Sequence, residues 1–142
     1  MTPAAPLAAL IAAALAMTGA ASAAPLTVTV DGIEARGGKL YVSVQTEDQF
    51  MKEDGVAGEI LEAPEAGSKT LSFDLPEGRY AVSVWHDFNG NGAFDVDDAG
   101  MPADGWTSPN AASLQAAPTF EQSSVTVEAG GAALQMDMIY PR

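Results

Sequence analysis

The chain contains no cysteine and only one histidine, His86. Without cysteine it can form no disulfide bond and has no thiolate to serve as a nucleophile or a soft metal ligand. Zinc sites usually combine several Cys and His ligands, and this chain offers a single histidine and no cysteine. No serine lies in the G-x-S-x-G sequence of a nucleophile elbow, so no triad is indicated around that histidine. We therefore expect no catalytic residues, and a protein that acts by binding rather than as an enzyme.

Positive charge is also scarce. Six Lys and Arg oppose 19 Asp and Glu, for a net charge of −13, and no Lys or Arg lies between Arg79 and Arg142. Nucleic acid is not an expected partner, because its phosphates must be neutralised by basic side chains. An anionic membrane surface is disfavoured on the same ground. The acidic excess favours either solubility or the binding of cations.

The chain lacks an apolar run long enough to span a bilayer. Its N-terminal apolar stretch, Leu7 to Met17, has 11 residues, whereas a transmembrane helix needs about 20. This stretch precedes Ala21 and Ala23, small residues at the −3 and −1 positions of a secretory cleavage site. The sequence thus predicts a signal peptide over residues 1–23, cleaved before Ala24. It predicts a periplasmic or secreted protein that keeps no membrane anchor.

The remaining residues, 24–142, form a single predicted domain, large enough to bury a core without covalent cross-links. Apolar and polar residues alternate with a period of two in several short runs, which is typical of strands with one buried face. Turn residues separate these runs, and no long helix is indicated. The sequence predicts an all-β fold, a single antiparallel β-sandwich of about seven strands. The predicted strands are 26–30, 39–46, 58–62, 71–75, 79–86, 124–127 and 133–140.

A long connection, residues 87–118, follows the fifth predicted strand. Loops of this length in a compact domain are usually functional or disordered, and the first part of this one has the spacing of a twelve-residue calcium loop. Side-chain oxygens occur at positions 1, 3, 5, 9 and 12, Gly92 is at position 6, and position 7 offers a backbone carbonyl. Alternate residues of a curled loop can supply the six or more oxygens that calcium needs. The predicted calcium ligands are Asp87, Asn89, Asn91, Ala93, Asp95 and Asp98.

This segment has a second interpretation. Two Asn-Gly dipeptides, at 89–90 and 91–92, are hairpin-turn signals, so the loop can be a solvated turn that binds no metal. Against this, three converging carboxylates would repel one another unless a cation neutralised them. The strand before the loop, and Gly100 and Pro102 after it, exclude the flanking helices of an EF-hand.

Three other residue types have a functional interpretation beside a structural one, namely His, Trp and Met. Alternation places His86 on the inner face of its strand, where a packed imidazole is expected rather than a catalytic one. Trp85 and Trp106 are expected to be buried beside the loop, with an aromatic binding surface as the alternative. Met136 and Met138 share one face of the last strand and are therefore predicted to be core residues, not copper ligands.

The segment from Leu75 to Phe120 resembles the DUF2141 family of exported bacterial proteins. The similar residues are the motif H-D-x-N-x-N-G-x-x-D at 86–95, Gly-Met-Pro at 100–102, Gly-Trp at 105–106 and Ser-Pro-Asn at 108–110. The resemblance implies export and an immunoglobulin- or transthyretin-like sandwich, and it supplies no activity. Asp98 is not part of this motif, so its role as a ligand depends on loop spacing alone.

The expected function is that of an exported, non-catalytic β-sandwich binding protein with a calcium loop at 87–98. Calcium is the predicted partner, and no residue pattern indicates a protein or carbohydrate ligand or an oligomeric state. One alternative is a structural or adhesive module without a metal site. A less favoured alternative is a small transthyretin-like hydrolase of the 5-hydroxyisourate type. Such hydrolases use several histidines and end in Tyr-Arg-Gly-Ser, whereas this chain ends in Ile-Tyr-Pro-Arg.

Overall fold

The computed structural model describes residues 23–52 and 54–142, which form an all-β domain. The predicted signal peptide falls outside the described residues, apart from Ala23. The eight strands are β1 (Ala24–Ile33), β2 (Lys39–Gln45), β3 (Ala57–Leu61), β4 (Gly67–Leu75), β5 (Gly78–Asp87), β6 (Gly105–Thr107), β7 (Ser124–Val127) and β8 (Ala132–Asp137). A 3₁₀ turn (Ala111–Ser113) and a one-turn helix α1 (Phe120–Ser123) lie between β6 and β7. No helix in the described part is long and apolar enough to cross a membrane.

The strands form two sheets that enclose one core. β1 lies at the centre of the first sheet, between β4 and β8, and the second sheet has the order β3-β2-β5-β6. β7 also pairs with β5, at residues 78–81, while β6 pairs at residues 84–86. β6 and β7 therefore lie end to end along one edge of β5. The predicted all-β sandwich is confirmed.

One pair of strands departs from the predicted antiparallel arrangement. β8 runs parallel to β1, with Leu26 opposite Ala132 and Val30 opposite Met136, and every other pair is antiparallel. Alternation of residues fixes which face of a strand is buried, but it carries no information about the direction of the neighbouring strand. The prediction of a purely antiparallel sandwich is wrong at this pair for that reason.

The core follows the alternation of apolar residues in both sheets. In β1, Leu26, Val28 and Val30 are fully buried, and the residues between them face outward. Each such side chain contributes about 1.5–3 kcal/mol when it is removed from water. Met136 and Met138 are also buried in this core, as predicted from the sequence. Side chains from the second sheet complete it, namely Leu40, Val42, Val44, Tyr80, Val82, Val84 and Val127.

β5 carries the candidate site at its C-terminal end. It pairs with β2 along most of its length, from Gln45–Ala81 to Lys39–Asp87. After β5, the predicted long loop contains regular structure. Strand β6 lies within it, and Val96 forms an isolated β-bridge with Pro102. The sequence does not reveal β6, since three residues are too few to show a period of two.

Candidate metal-binding site

The acidic loop leaves the sandwich at Asp87, the last residue of β5. The Asp87 side chain is 3% exposed, and its Oδ2 atom accepts a hydrogen bond of 2.8 Å from the backbone N–H of Gly92. Gly92 has a φ of 75° and Gly90 a φ of 69°, a left-handed conformation that glycine adopts without strain. The carboxylate at the first loop position and the glycine at the sixth therefore close the loop together.

Asn89, Asn91 and Asp95 form a second group of contacts across the loop. The amide nitrogens of Asn89 and Asn91 donate to the Asp95 carboxylate, at 2.7 Å and 2.8–2.9 Å. The Oδ1 atom of Asn91 accepts from the N–H of Ala93 at 3.0 Å. The Asn91 and Asn89 donors lower the pKa of Asp95 below its ordinary value, because they stabilise the ionised form. Five of the six predicted ligands thus belong to one compact loop.

Asp98, the sixth predicted ligand, lies elsewhere. Residues 95–103 form a small hairpin, in which Asp97 N–H donates to the Met101 carbonyl and Ala103 N–H donates to the Asp95 carbonyl, both at 2.8 Å. Asp98 is in the turn of this hairpin and is exposed. The preceding Asp97 holds the turn through its own carboxylate. Asp98 makes none of the contacts that link the other predicted ligands.

Asp104 is a buried acidic residue that the loop spacing does not include. It directly precedes β6, its side chain is 1% exposed, and its Oδ2 accepts from Trp85 Nε1 at 2.9 Å and from the Asp95 N–H at 3.0 Å. One signal in the sequence lies beside Asp104, because the neighbouring Gly105-Trp106 pair is part of the resemblance to the DUF2141 family. The contact of Asp104 with the loop, however, depends on strand β6, which the sequence did not predict.

Asp87 and Asp104 share an unusual feature. In the described part of the chain, three buried side-chain atoms have no hydrogen-bond partner, and two of them are Asp87 Oδ1 and Asp104 Oδ1. The third is the hydroxyl of Ser123, in helix α1. Buried polar groups are normally paired, so each exception calls for an explanation.

The expected convergence of three carboxylates is not found. Among residues 23–52 and 54–142, no three His, Cys, Asp or Glu side chains are grouped so that they could hold a metal ion. The arrangement consists of the buried carboxylates of Asp87 and Asp104 and, further along the loop, the Asp95 carboxylate with its two asparagine donors. Asparagine and backbone carbonyl oxygens are also calcium ligands, so this donor set has the chemistry of a hard-cation site with low ligand charge.

His86 lies one residue before the loop, on the inner side of β5. It is fully buried, and both ring nitrogens are bonded: Nε2 to the Gly37 carbonyl and Nδ1 to the Tyr140 hydroxyl, each at 2.7 Å. A carbonyl only accepts, so Nε2 carries a proton and donates to Gly37. The prediction of a packed imidazole is confirmed. The ring links the C-terminal end of β5 to the Gly37 turn and to Tyr140.

Tyr140 completes this inner cluster. Its hydroxyl also accepts the backbone N–H of Glu34 at 3.0 Å, which leaves the hydroxyl proton for His86 Nδ1. Burial raises the pKa of Tyr140 above its ordinary value, and the nearby charge of Arg36 opposes that shift. The Arg36 guanidinium lies over the rings of Tyr140 and Phe88, at 4.7 and 5.0 Å from their centroids. Because Phe88 also packs against His86 and Tyr140, the cluster contacts the start of the loop.

The tryptophans lie on the outer face of the second sheet. Trp85 stacks on Tyr41 with a centroid distance of 4.8 Å and meets Phe94 edge to face at 6.3 Å. Trp85 and Trp106 are opposite each other in the ladder, and both are half-buried. Trp85 packs beside the loop, as expected, and its indole N–H positions Asp104.

The fold and the site together define a small two-sheet β-sandwich with an acidic, asparagine-containing loop at the end of a central strand. The chain belongs to the DUF2141 family, described as an uncharacterized protein conserved in bacteria, whose family model matches residues 28–135. This match includes the whole loop and confirms the resemblance seen in the sequence. A search of curated proteins found no match, and neither did a search of solved structures.

Proposed function

We propose that the chain is an exported, non-catalytic β-sandwich protein that binds calcium through the loop at residues 87–98. The observation that carries the proposal is the Oδ1 atom of Asp87. This oxygen is buried and has no hydrogen-bond donor among the described residues, and it lies at the first position of a loop with calcium-ligand spacing. The proposal takes its ligand set from that spacing and its export from the N-terminal sequence.

A buried carboxylate needs a counter-charge. Buried charges in proteins are normally paired or coordinate a metal, because an isolated one is costly to desolvate. Within the described residues the ion pairs are Arg36–Glu34 and Lys39–Glu62. Lys39 is the partner of Asp87 in the ladder between β2 and β5, but its ammonium lies 3.5 Å from Glu62. A bound cation would supply the positive counter-charge that these ion pairs do not give to Asp87.

Calcium binding requires only local rearrangement of the loop. Asn89 and Asn91 now direct their amide nitrogens at Asp95, and a half-rotation of each amide would direct an oxygen there instead. Both side chains are exposed, so neighbouring groups leave them room to turn. The cation would then replace two neutral donors at Asp95. Because two of the side-chain ligands are uncharged, we expect a dissociation constant on the order of 10⁻⁴ to 10⁻³ M, as in extracellular modules.

Calcium is expected to raise the melting temperature of the mature chain, residues 24–142. At ~10 mM calcium, about 10 to 100 times the expected dissociation constant, binding to the native state alone adds about 1.4–2.7 kcal/mol. For a domain of this size that corresponds to roughly 5–10 °C. Thermal unfolding followed by circular dichroism, in calcium and in chelator, measures the difference.

The matched variants are Asp87→Asn and Asp74→Asn. Each removes one negative charge without changing the side-chain size, but Asp74 is an exposed residue of β4 in the other sheet. We expect Asp87→Asn to lose the calcium-dependent shift and Asp74→Asn to keep it. A wild-type chain that melts at the same temperature in calcium and in chelator would show that the loop binds no calcium.

A structural or adhesive module without a metal is the second candidate, and one observation favours it. Asp95 already receives the amide donors of Asn89 and Asn91, so this part of the loop satisfies its hydrogen bonds without a cation. Under that function the two Asn-Gly pairs act only as turn residues. The melting experiment separates the two candidates, since only the calcium-binding protein responds to calcium.

Export predicts a defined N-terminus. The apolar stretch followed by Ala21-Ser22-Ala23 places the cleavage between Ala23 and Ala24. When the full chain is expressed in a bacterial host, the periplasmic or secreted product should therefore begin at Ala24. N-terminal sequencing or intact mass measurement of that product checks the expectation. Recovery of a chain that retains Met1 contradicts it.

A further inference from the structure

Asp104 matches Asp87 in burial and in bonding, although it lies outside the twelve-residue loop. Their side chains are 1% and 3% exposed. Each uses Oδ2 to hold the backbone of the loop, Asp87 at the N–H of Gly92 and Asp104 at the N–H of Asp95. Each leaves a buried Oδ1 without a partner among the described residues. The two carboxylates therefore bind the backbone of the same loop, and each has one buried oxygen without a hydrogen-bond donor in the described part of the chain.

The strand register brings the two carboxylates together. The pairs between β5 and β6 are Val84–Thr107, Trp85–Trp106 and His86–Gly105. Continuing this register by one residue sets Asp87 opposite Asp104. Directly opposed residues of antiparallel strands point to the same face, with Cβ atoms about 4.5–5.5 Å apart. Like charges so placed repel, and more strongly where water is excluded.

We propose that Asp104 binds the same calcium ion as Asp87, so that the ion lies between the ends of β5 and β6. This inference rests on the calcium site proposed above and changes its ligand set. Asp98, the ligand that loop spacing gives at the twelfth position, is exposed in the turn of the 95–103 hairpin. Asp104 takes its place as the carboxylate that closes the site.

The bonds around the pair suit this role. The Trp85 indole and the Asp95 N–H both donate to Asp104 Oδ2, and the Gly92 N–H donates to Asp87 Oδ2. These donors fix the orientation of both carboxylates and leave one oxygen of each available to the ion. A ligating carboxylate is commonly held in this way by hydrogen bonds to its other oxygen. The ion would thereby fasten the two ends of the segment that runs from Asp87 to Asp104.

Asp104→Asn tests the ligand role, because we expect it to preserve or raise stability without calcium and to weaken the binding of calcium. The remaining oxygen can still accept from Trp85 and Asp95, and the new amide can donate to the unpartnered Oδ1 of Asp87. In chelator, the melting temperature of the variant should equal or exceed that of the wild type. In calcium titrations, followed by melting temperature or calorimetry, its affinity should fall by at least about tenfold, because one charged ligand is lost.

Asp98→Asn is the matched control, with the same loss of one charge in the same segment. We expect its calcium affinity to stay within about twofold of the wild type. If the wild type responds to calcium and Asp104→Asn binds as tightly, Asp104 is not a ligand and only this inference fails. If Asp98→Asn is the variant that loses affinity, the loop closes at its twelfth position, and this inference fails again. A wild type without any calcium response overturns both this inference and the proposed function.

Discussion

His86→Ala should destabilise the domain by about 3–5 kcal/mol, a large part of the 5–15 kcal/mol by which domains of this kind are stable. The substitution removes a fully buried ring, and the cavity cannot collapse easily between two sheets. It also leaves the Gly37 carbonyl without its donor and the Tyr140 hydroxyl without its acceptor. Both hydrogen bonds are only partly buried, so the loss of each costs about 0.5–1.5 kcal/mol in addition to the lost packing. Urea unfolding of the mature chain measures the loss.

Tyr140→Phe separates the hydrogen bonds from the packing. Its ring remains against His86, and only the hydroxyl is lost, together with its bonds to His86 Nδ1 and to the Glu34 N–H. We expect a smaller cost, about 1–2 kcal/mol. If His86→Ala costs no more than Tyr140→Phe, the imidazole does not act as the buried bridge between β5, the Gly37 turn and the chain's end.

The sheets were predictable from the sequence to the extent that burial alternates. The runs around Val28, Val42 and Val82 lie in strands, and their apolar positions are buried. The direction of β8 was not predictable, because a parallel and an antiparallel neighbour bury the same residues. The start of β4 at Gly67 was also missed, since Ser68 to Thr70 are polar and exposed on both faces and so show no alternation.

The candidate site was predictable only where its residues are close in sequence. Loop spacing brought Asp87, Asn89, Asn91 and Asp95 together, and the structure places them in one loop. It also selected Asp98, because a linear frame cannot detect that residues 95–103 turn back on themselves. Asp104 is nine residues from Asp95 and reaches it through the pairing of β5 with β6. Long-range pairing of this kind leaves no periodic trace in a three-residue strand.

Gly38→Ala should cost about 2–5 kcal/mol and should weaken the proposed calcium binding as well. Gly38 lies in the turn before β2 with a φ of 67°, where an L-residue pays roughly 1–2 kcal/mol. A Cβ atom there would be 2.0 Å from the carbonyl oxygen of Asp87 and 2.7 Å from the Cα of Phe88. Both contacts are with backbone, so β5 must move where it enters the loop, at a further cost of about 1–3 kcal/mol.

Gly37→Ala is the matched comparison, because the neighbouring glycine has nearly the same backbone conformation and none of the contact. Its φ is 79°, and nothing lies within 4 Å of the position its Cβ would take. It should therefore cost only the conformational term, about 1–2 kcal/mol, and leave calcium affinity unchanged. The difference between the two variants isolates the approach of the β2 turn to Asp87. Equal losses of stability in urea unfolding would mean that the backbone at Asp87 can move away from the new Cβ atom without a loss of folding free energy. Unequal losses with equal calcium affinity would mean that the Asp87 backbone does not position the proposed metal ligand.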